Sequence, residues 1–274
     1  MSYFTVFTPC YNGGKYFERV LDSMLAQTDK DWEWIIIDDG STDNSYNIIQ
    51  ERIEEYPYLD IKLLRFGENR GKHCAFNKAI ELAQGKLLVP ADVDDTFLPF
   101  ALTFFRAKWE ENLKKGLTLS GISVLCFRDQ ENSIVGDIYP KDSFVTNALD
   151  LSFVHNINGE KWGCLSLKIL KAYRFPTWEG LVNEGYMWFS IAKKYNLICY
   201  NIALRNYHAT DDGLMARNRK SVISKKNLKA QLKYQSWFLK NFWQYLILKK
   251  PTILLKKIVK FIVTLLQTVL KYDK

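Results

Sequence analysis

Short runs of apolar, β-branched and aromatic residues alternate along this chain with longer stretches whose apolar positions recur every three to four residues. Tyr3 to Thr8 reads as a buried strand, closed by Pro9 and the turn Asn12-Gly13-Gly14. Lys15 to Gln27 sets Phe17, Val20, Leu21, Met24 and Leu25 on one helical face. Trp32 to Ile37, Ile61 to Phe66 and Lys86 to Val89 predict three more strands, with helices over Asn44 to Tyr56 and Lys72 to Gln84 between them. A β-α-β-α-β-α-β order with short connections predicts an α/β fold with a mostly parallel central sheet flanked by helices. Ligands of such sheets bind beyond the carboxyl ends of the strands.

Further on, Phe97 to Lys115 is an amphipathic helix and Leu117 to Phe127 returns to strand character. Ser133 to Leu149 is less periodic, Glu184 opens a helix to about Lys194, and Ile198 to Leu204 is strand-like. With 274 residues, 47% of them hydrophobic and 15% aromatic, the chain can bury a sizeable core in one large domain or two small ones. Its five cysteines are scattered without a CxxC pair, so neither a disulfide framework nor a zinc site is indicated, and a reducing cytoplasm fits best. Met1 leads almost directly into a strand, without the charged and apolar regions of a secretory signal.

Charge changes the picture at one end. From Leu214 to Lys274 there are 15 Lys and Arg against one acid, whereas the first 213 residues carry a net of −6 within the total of +8. The tail alone therefore calls for an anionic partner.

The polar residues that stand out fall at the four predicted strand ends: Thr8 to Tyr11, Asp38 to Ser41, Asn69 to Lys72, and Asp92 to Asp95. Leu87-Leu88-Val89-Pro90-Ala91 runs straight into the last of these. Clustered carboxylates at the edge of a core need a cation, a proton or strong donors to offset their repulsion and desolvation, and a divalent metal is the simplest answer. Asp92 to Asp95 could instead cap a helix beginning near Pro99. Four separate caps would not require this composition, and one shared site accounts for it better.

Thr8-Pro9-Cys10-Tyr11-Asn12, Ile35-Ile36-Ile37-Asp38-Asp39-Gly40-Ser41-Thr42-Asp43 and Asp92-Val93-Asp94-Asp95 resemble, in order and spacing, the nucleotide-binding motifs of family 2 glycosyltransferases, which have the GT-A fold. The resemblance implies a Rossmann-like sheet and a nucleoside diphosphate sugar, with a UDP-sugar favoured. The implied donor contacts are Thr8, Pro9, Tyr11, Asp39, Asn69, Gly71, Lys72, Asp92 and Val93. Of these, Thr8, Tyr11 and Asp39 would hold the base, and Lys72, near a helix N-terminus, would favour phosphate. Asp92 and Asp94 form the D-x-D motif, whose oxygen ligands suit Mn²⁺ or Mg²⁺. Where many relatives have an arginine before the helix asparagine, this chain has Phe76 before Asn77.

At the helix beginning with Glu184, relatives commonly carry a Glu-Asp pair whose aspartate deprotonates the acceptor. Gly185 occupies that aspartate's place here, which leaves Glu184 as the catalytic base, and partial burial would raise its pKa toward a useful range. In Arg205-Asn206-Tyr207-His208, the histidine is a candidate for the metal or diphosphate, although a lone histidine at a strand end also serves as a loop hydrogen-bonder. Trp178, Tyr186 and Trp188 could stack on sugar or pack in the core.

The tail predicts one helix over Leu228 to Leu248, a break at Pro251 and a second helix over Ile253 to Tyr272. On the second, Lys256, Lys257, Lys260, Thr264, Gln267, Thr268 and Lys271 form one polar stripe and the rest is apolar. That pattern suits a C-terminal helical amphipathic tail lying in a membrane surface, with an oligomerisation helix or a lid as alternatives. Nucleic acid is not expected, because no recognised module is present. The expected division is a nucleotide-sugar-binding half (1–105), an acceptor-binding half (106–212) and a basic tail (213–274). The implied activity is inverting, metal-dependent transfer to a hydroxyl of a glycan or lipid-linked acceptor, peripheral at the inner face of a bacterial membrane. A weak sugar-nucleotide-binding scaffold and a nucleotidyltransferase are the alternatives.

Overall fold

Four parallel strands carry the amino-terminal half of the sheet. They are β1 (Phe4–Cys10), β2 (Trp32–Asp38), β3 (Ile61–Arg65) and β4 (Leu87–Pro90), arranged 3-2-1-4. The computed structural model describes residues 2–128, 131–208 and 224–270. Three helices cross between these strands: α1 (Phe17–Leu25), preceded by a 3-10 turn at Gly14–Tyr16, then α2 (Ser45–Glu54) and α3 (Lys72–Leu82). Since β1 lies between β2 and β4, the order reverses there, and the crevice at their carboxyl ends is where such a sheet receives a ligand.

The sheet alternation explains why both faces are apolar. Phe4, Val6, Trp34, Ile36, Leu87 and Val89 pack on one side against α1 and α4 (Ala101–Lys114). Phe7, Ile35, Ile37 and Leu88 pack on the other against α3, α6 (Leu167–Leu170) and α7 (Gly185–Ala192), with α5 (Ala148–Phe153) lying between in sequence order. Each such side chain contributes about 1.5–3 kcal/mol when fully buried. Glu33 breaks this pattern near the start of β2: 1% exposed, it accepts from Thr5 Oγ1 at 2.7 Å, Lys62 Nζ at 2.7 Å and the Gln84 N–H at 2.6 Å.

Beyond β4 the sheet continues through β9 (Lys161–Ser166), antiparallel to both β4 and β6 (Leu119–Arg128). β10 (Asn196–Asn206) runs parallel to β6, while β5 (Thr96–Phe97) and β8 (Ser143–Thr146) add to β10, and β7 (Ser133–Ile134) to β6. The β5 pairing corrects the capping alternative. Thr96 and Phe97 are drawn into the sheet by Asn206 and Arg205, so the helix begins only at Ala101 with Phe100 before it, and the acids do not cap it.

The tail forms α8 (Lys225–Lys249) and α9 (Pro251–Leu270). Phe238, Phe242 and Leu246 of α8 close over Leu149 and Phe153. Pro251 opens α9, at a first-turn position where its lack of an N–H costs nothing. Part of the polar stripe of α9 turns inward: Thr264 and Thr268 are buried and Gln235 Nε2 donates to Thr264 Oγ1 at 3.2 Å, whereas Lys256, Lys260 and Gln267 are exposed. Its apolar face, including Val259, Ile262, Leu266 and Val269, is exposed. Among the described residues no helix is long and apolar enough to cross a membrane. The boundary expected at 212/213 lies outside the described residues.

Candidate functional site

The carboxyl ends of β1, β2, β4 and β10 and the start of α3 surround a cleft of about 300 Å³. Pro9, Tyr11, Asp39, Asn69, Gly71, Lys72, Asp92, Val93, Asp94, Glu184 and His208 all line it, with Asp95, Glu160, Arg205 and Tyr207 beside them. Thr8 is the exception. Its side chain is fully buried, and its Oγ1 accepts from Trp34 Nε1 at 2.9 Å, so the expected contact with a base is not available to that hydroxyl.

The two acids at the end of β2 do different jobs. Asp38 is buried; its Oδ1 accepts from the Ser41 N–H at 3.0 Å, and its Oδ2 lies 3.2 Å from Arg65 Nε. Asp39 accepts from the N–H groups of Arg70 and Gly71, both at 2.8 Å, which ties the loop before α3 to the strand end. Burial raises the Asp39 pKa while those two amides pull it down. Gly71 can hold that loop because its φ is +91° and a Cβ there would sit 2.7 Å from the His73 ring.

Lys72 begins α3 and reaches Asp92, with Nζ 2.8 Å from Oδ1. Burial works against its charge, and Asp92 followed by Glu184 more than restores it, so its pKa is raised. Asp92 also lies 3.5 Å from Arg205 Nη2. Burial alone would push the Asp92 carboxyl up, but Lys72 and Arg205 hold it below its ordinary value. Asp94 goes the other way, raised by burial and then by its neighbour Asp92. Burial pushes Asp95 up to about 7 against the pull of Arg205, with which it forms an ion pair; its Oδ1 accepts the His208 N–H at 3.1 Å.

Asp92 and Asp94 offer only oxygen donors, and the repulsion that raises Asp94 is what a divalent cation relieves. Among the described residues no cluster of three or more His, Cys, Asp and Glu makes a complete protein cage. Two carboxylates completed by substrate phosphates are a donor set suited to Mg²⁺ or Mn²⁺, so these residues fit such an ion. The other ring nitrogen candidate, His208 Nε2, lies 3.0 Å from Thr96 Oγ1.

Glu184 stands immediately before α7 and is exposed, which corrects the expectation of partial burial. Its Oε2 accepts weakly from Trp188 Nε1 at 3.4 Å. Gly185 is explained by packing: a Cβ there would come within 2.7 Å of Tyr234 Oη and 2.8 Å of the Phe189 ring. Phe76, in place of the family's arginine, sits in the core with edge contacts to Phe7, Phe175 and Trp188. Trp188 therefore packs in the core, and Tyr186 lies 4.3 Å from the Trp237 ring.

Two residues to which the sequence assigns no role also stand in the cleft. Arg205, 7% exposed, stands between Asp92 and Asp95, and its buried Nε has no hydrogen-bond acceptor among the described residues. Glu160 lines the same cleft; burial raises its pKa, Arg205 opposes this, and Asp92 and Glu184 add to it. Arg205 could have been singled out as the one charged residue of β10. Glu160 carries no such signal, since only the β4–β9–β6 pairing brings it to the cleft.

Residues 5–126 match glycosyl transferase family 2. The chain is 28% identical over 225 residues to the putative teichuronic acid biosynthesis glycosyltransferase TuaG of Bacillus subtilis, covering 75% of this chain and 83% of that one. It is 34% identical over 210 residues to chondroitin synthase of Escherichia coli, covering 73% of this chain but only 29% of that protein. In fold it is similar to S. aureus TarS 1-349 in complex with UDP-GlcNAc, with a TM-score of 0.68 at 18% identity over 87% of this chain and 67% of that one. The Pyrobaculum calidifontis mannosyltransferase PcManGT in complex with GDP-Man and Mn²⁺ aligns with a TM-score of 0.59 at 20% identity over 88% of this chain and 65% of that one.

Proposed function

We propose that this chain, whose residues 5–126 match glycosyl transferase family 2, is a glycosyltransferase that moves a sugar from a nucleoside diphosphate donor to an acceptor hydroxyl with inversion. The observation that carries this reading is the meeting of Lys72, Asp92 and Arg205 with the carboxylates Glu184 and Glu160 around one cleft. Cations and acids of that kind on facing walls can hold a diphosphate and accept a proton across it. A UDP-sugar is favoured, and the TarS 1-349 complex with UDP-GlcNAc supports it.

In the proposed reaction the base lies by Tyr11 and Asp39, and the diphosphate by Lys72 and the free N–H groups at the start of α3. Asp94, with Asp92, would hold Mn²⁺ or Mg²⁺, which supplies Lewis-acid stabilisation of the leaving phosphate. Glu184 takes the proton of the acceptor hydroxyl. The oxygen then forms its bond to the anomeric carbon from the face opposite the departing group. The bond from that carbon to the phosphate oxygen breaks, and its electron pair leaves with the nucleoside diphosphate. Arg205 offsets the charge of Asp92 and Asp95, so that the donor's phosphates meet a cleft that is not strongly negative. Residues 1–105 are the donor half and 106–212 the acceptor half in this reading, with 213–274 as the tail.

The tail's outward apolar face, above a strongly basic sequence, supports docking on an anionic membrane surface from the cytoplasmic side. A glycan or lipid-linked acceptor would be met there. Release of nucleoside diphosphate from a panel of sugar nucleotides, with Mn²⁺, Mg²⁺ or chelator, tests the activity. Silence across the panel counts against it, and pyrophosphate release would make the protein a nucleotidyltransferase. Vesicle sedimentation tests the tail: a chain with Val259, Ile262 and Leu266 changed to Ser should lose binding to phosphatidylglycerol vesicles.

A further inference from the structure

Two lysines of α9, the half-buried Lys257 and the exposed Lys260, line one cavity against α8. Lys257 lies with its ammonium 5.5 Å from the Phe153 ring and 5.2 Å from the Phe238 ring. These contacts compensate a cation only in part. Burial and then the nearby Lys260 lower its pKa. No carboxylate pairs with Lys257 among the described residues. An incompletely compensated cation beside a second cation is a poor structural element and a good anion receptor.

Its position gives the anion a context. Lys257 lines a cavity of about 620 Å³ that also takes in Asp92, Glu184 and Arg205 of the catalytic cleft. It lines a second, of about 320 Å³, together with Lys260, Gln231 and Asn183. The first joins the reacting carboxylates to the tail helices, and the second adds amide donors beside the two lysines. The acids that line the larger cavity are Asp92, Glu160 and Glu184; Asp92 is already paired with Lys72 and Arg205.

We infer that Lys257 and Lys260 form a subsite for a phosphate group carried by the acceptor, held at the tail end of the cavity while the acceptor's hydroxyl lies at Glu184. This inference rests on the glycosyltransferase reading for the hydroxyl and on α9 for the phosphate. The phosphate belongs either to a lipid-linked acceptor or to a phosphate-bearing glycan chain, which share the same recognition chemistry.

The test titrates the full chain with inorganic phosphate and with octyl phosphate, and separately measures nucleoside diphosphate release by water from the donor. Both phosphates should bind in competition. The double variant Lys257→Gln/Lys260→Gln should bind them about tenfold or more weakly, the Arg/Arg variant should recover most of that loss, and Lys256→Gln, at a residue that lines neither cavity, should change nothing. Donor hydrolysis should be the same in all four. Tighter binding of octyl phosphate than of inorganic phosphate assigns a lipid-linked phosphate, and equal binding assigns a glycan phosphate. Wild-type binding in the Gln/Gln variant overturns the subsite, as does a loss seen only toward phosphatidylglycerol vesicles, which would make the lysines surface contacts. A wild-type chain that binds phosphate yet never releases nucleoside diphosphate would instead overturn the enzyme reading.

Discussion

Lys72 Nζ stands 2.8 Å from Asp92 Oδ1, joining the first residue of α3 to the end of β4 across the cleft. With Arg205, Lys72 holds the Asp92 carboxyl below its ordinary value against the pull of burial. Lys72→Met should keep the fold and weaken UDP binding roughly 10- to 100-fold, the worth of a charge-assisted hydrogen bond. Calorimetry at fixed ionic strength measures this. An unchanged affinity would remove Lys72 from the donor site.

Glu184 and Glu160 compete for the role of base. Glu184→Gln should lower kcat/KM for transfer by about 10²- to 10⁴-fold with UDP affinity retained. Glu160→Gln should cost much less. The reverse order would reassign the base to Glu160, and the pH profile of the surviving variant would identify it.

Acid stability should depend on Glu33. Burial pushes its carboxyl up, but Lys62, Thr5 and the Gln84 N–H together hold it below 4.5. A carboxyl with a lowered folded-state pKa adds stability that is present above 4.5 and is lost as the pH falls through the folded value. The thermal midpoint should therefore decline below pH 4.5, and Glu33→Gln should flatten that part of the decline. The variant should also be less stable by roughly 1–3 kcal/mol at neutral pH, because the single amide oxygen of Gln cannot accept both from Lys62, now at Oε2, and from the Gln84 N–H, now at Oε1. An identical pH dependence in both proteins would place the acid sensitivity elsewhere.

Gly185 should resist restoration of the family's aspartate. Gly185→Ala should destabilise by about 1–3 kcal/mol, since its Cβ meets Tyr234 Oη and Phe189. Combining it with Tyr234→Phe should recover part of the loss, read as a coupling energy in a double-mutant cycle by urea unfolding. Additive effects would mean that α7 and α8 separate freely.

The β-α alternation and both apolar faces of the first four strands were legible because each follows from local periodicity of two or about 3.6 residues. The acids at the strand ends were legible because a strand ends where its apolar run does, as at Val89 to Asp92. Three things were not. Thr96 and Phe97 read as the approach to a helix, and only pairing with Arg205 and Asn206 makes them a strand. Phe76 and Trp188 carry no sign in sequence that they would pack edge to face. The polar stripe of α9 was visible, but not that part of it would face Gln235 and leave the apolar face outside.

The sequence by itself determined the order of elements, the acidic motif and the donor half of the site, all set by neighbours within a few residues. Only the tertiary structure decided that Thr8 is spent on Trp34, that Arg205 and Glu160 join the cleft, and that Lys257 lines a larger cavity shared with Asp92, Glu184 and Arg205. These are contacts between residues dozens to more than a hundred positions apart, and no local pattern can encode which long-range partner a buried charge or hydroxyl will meet.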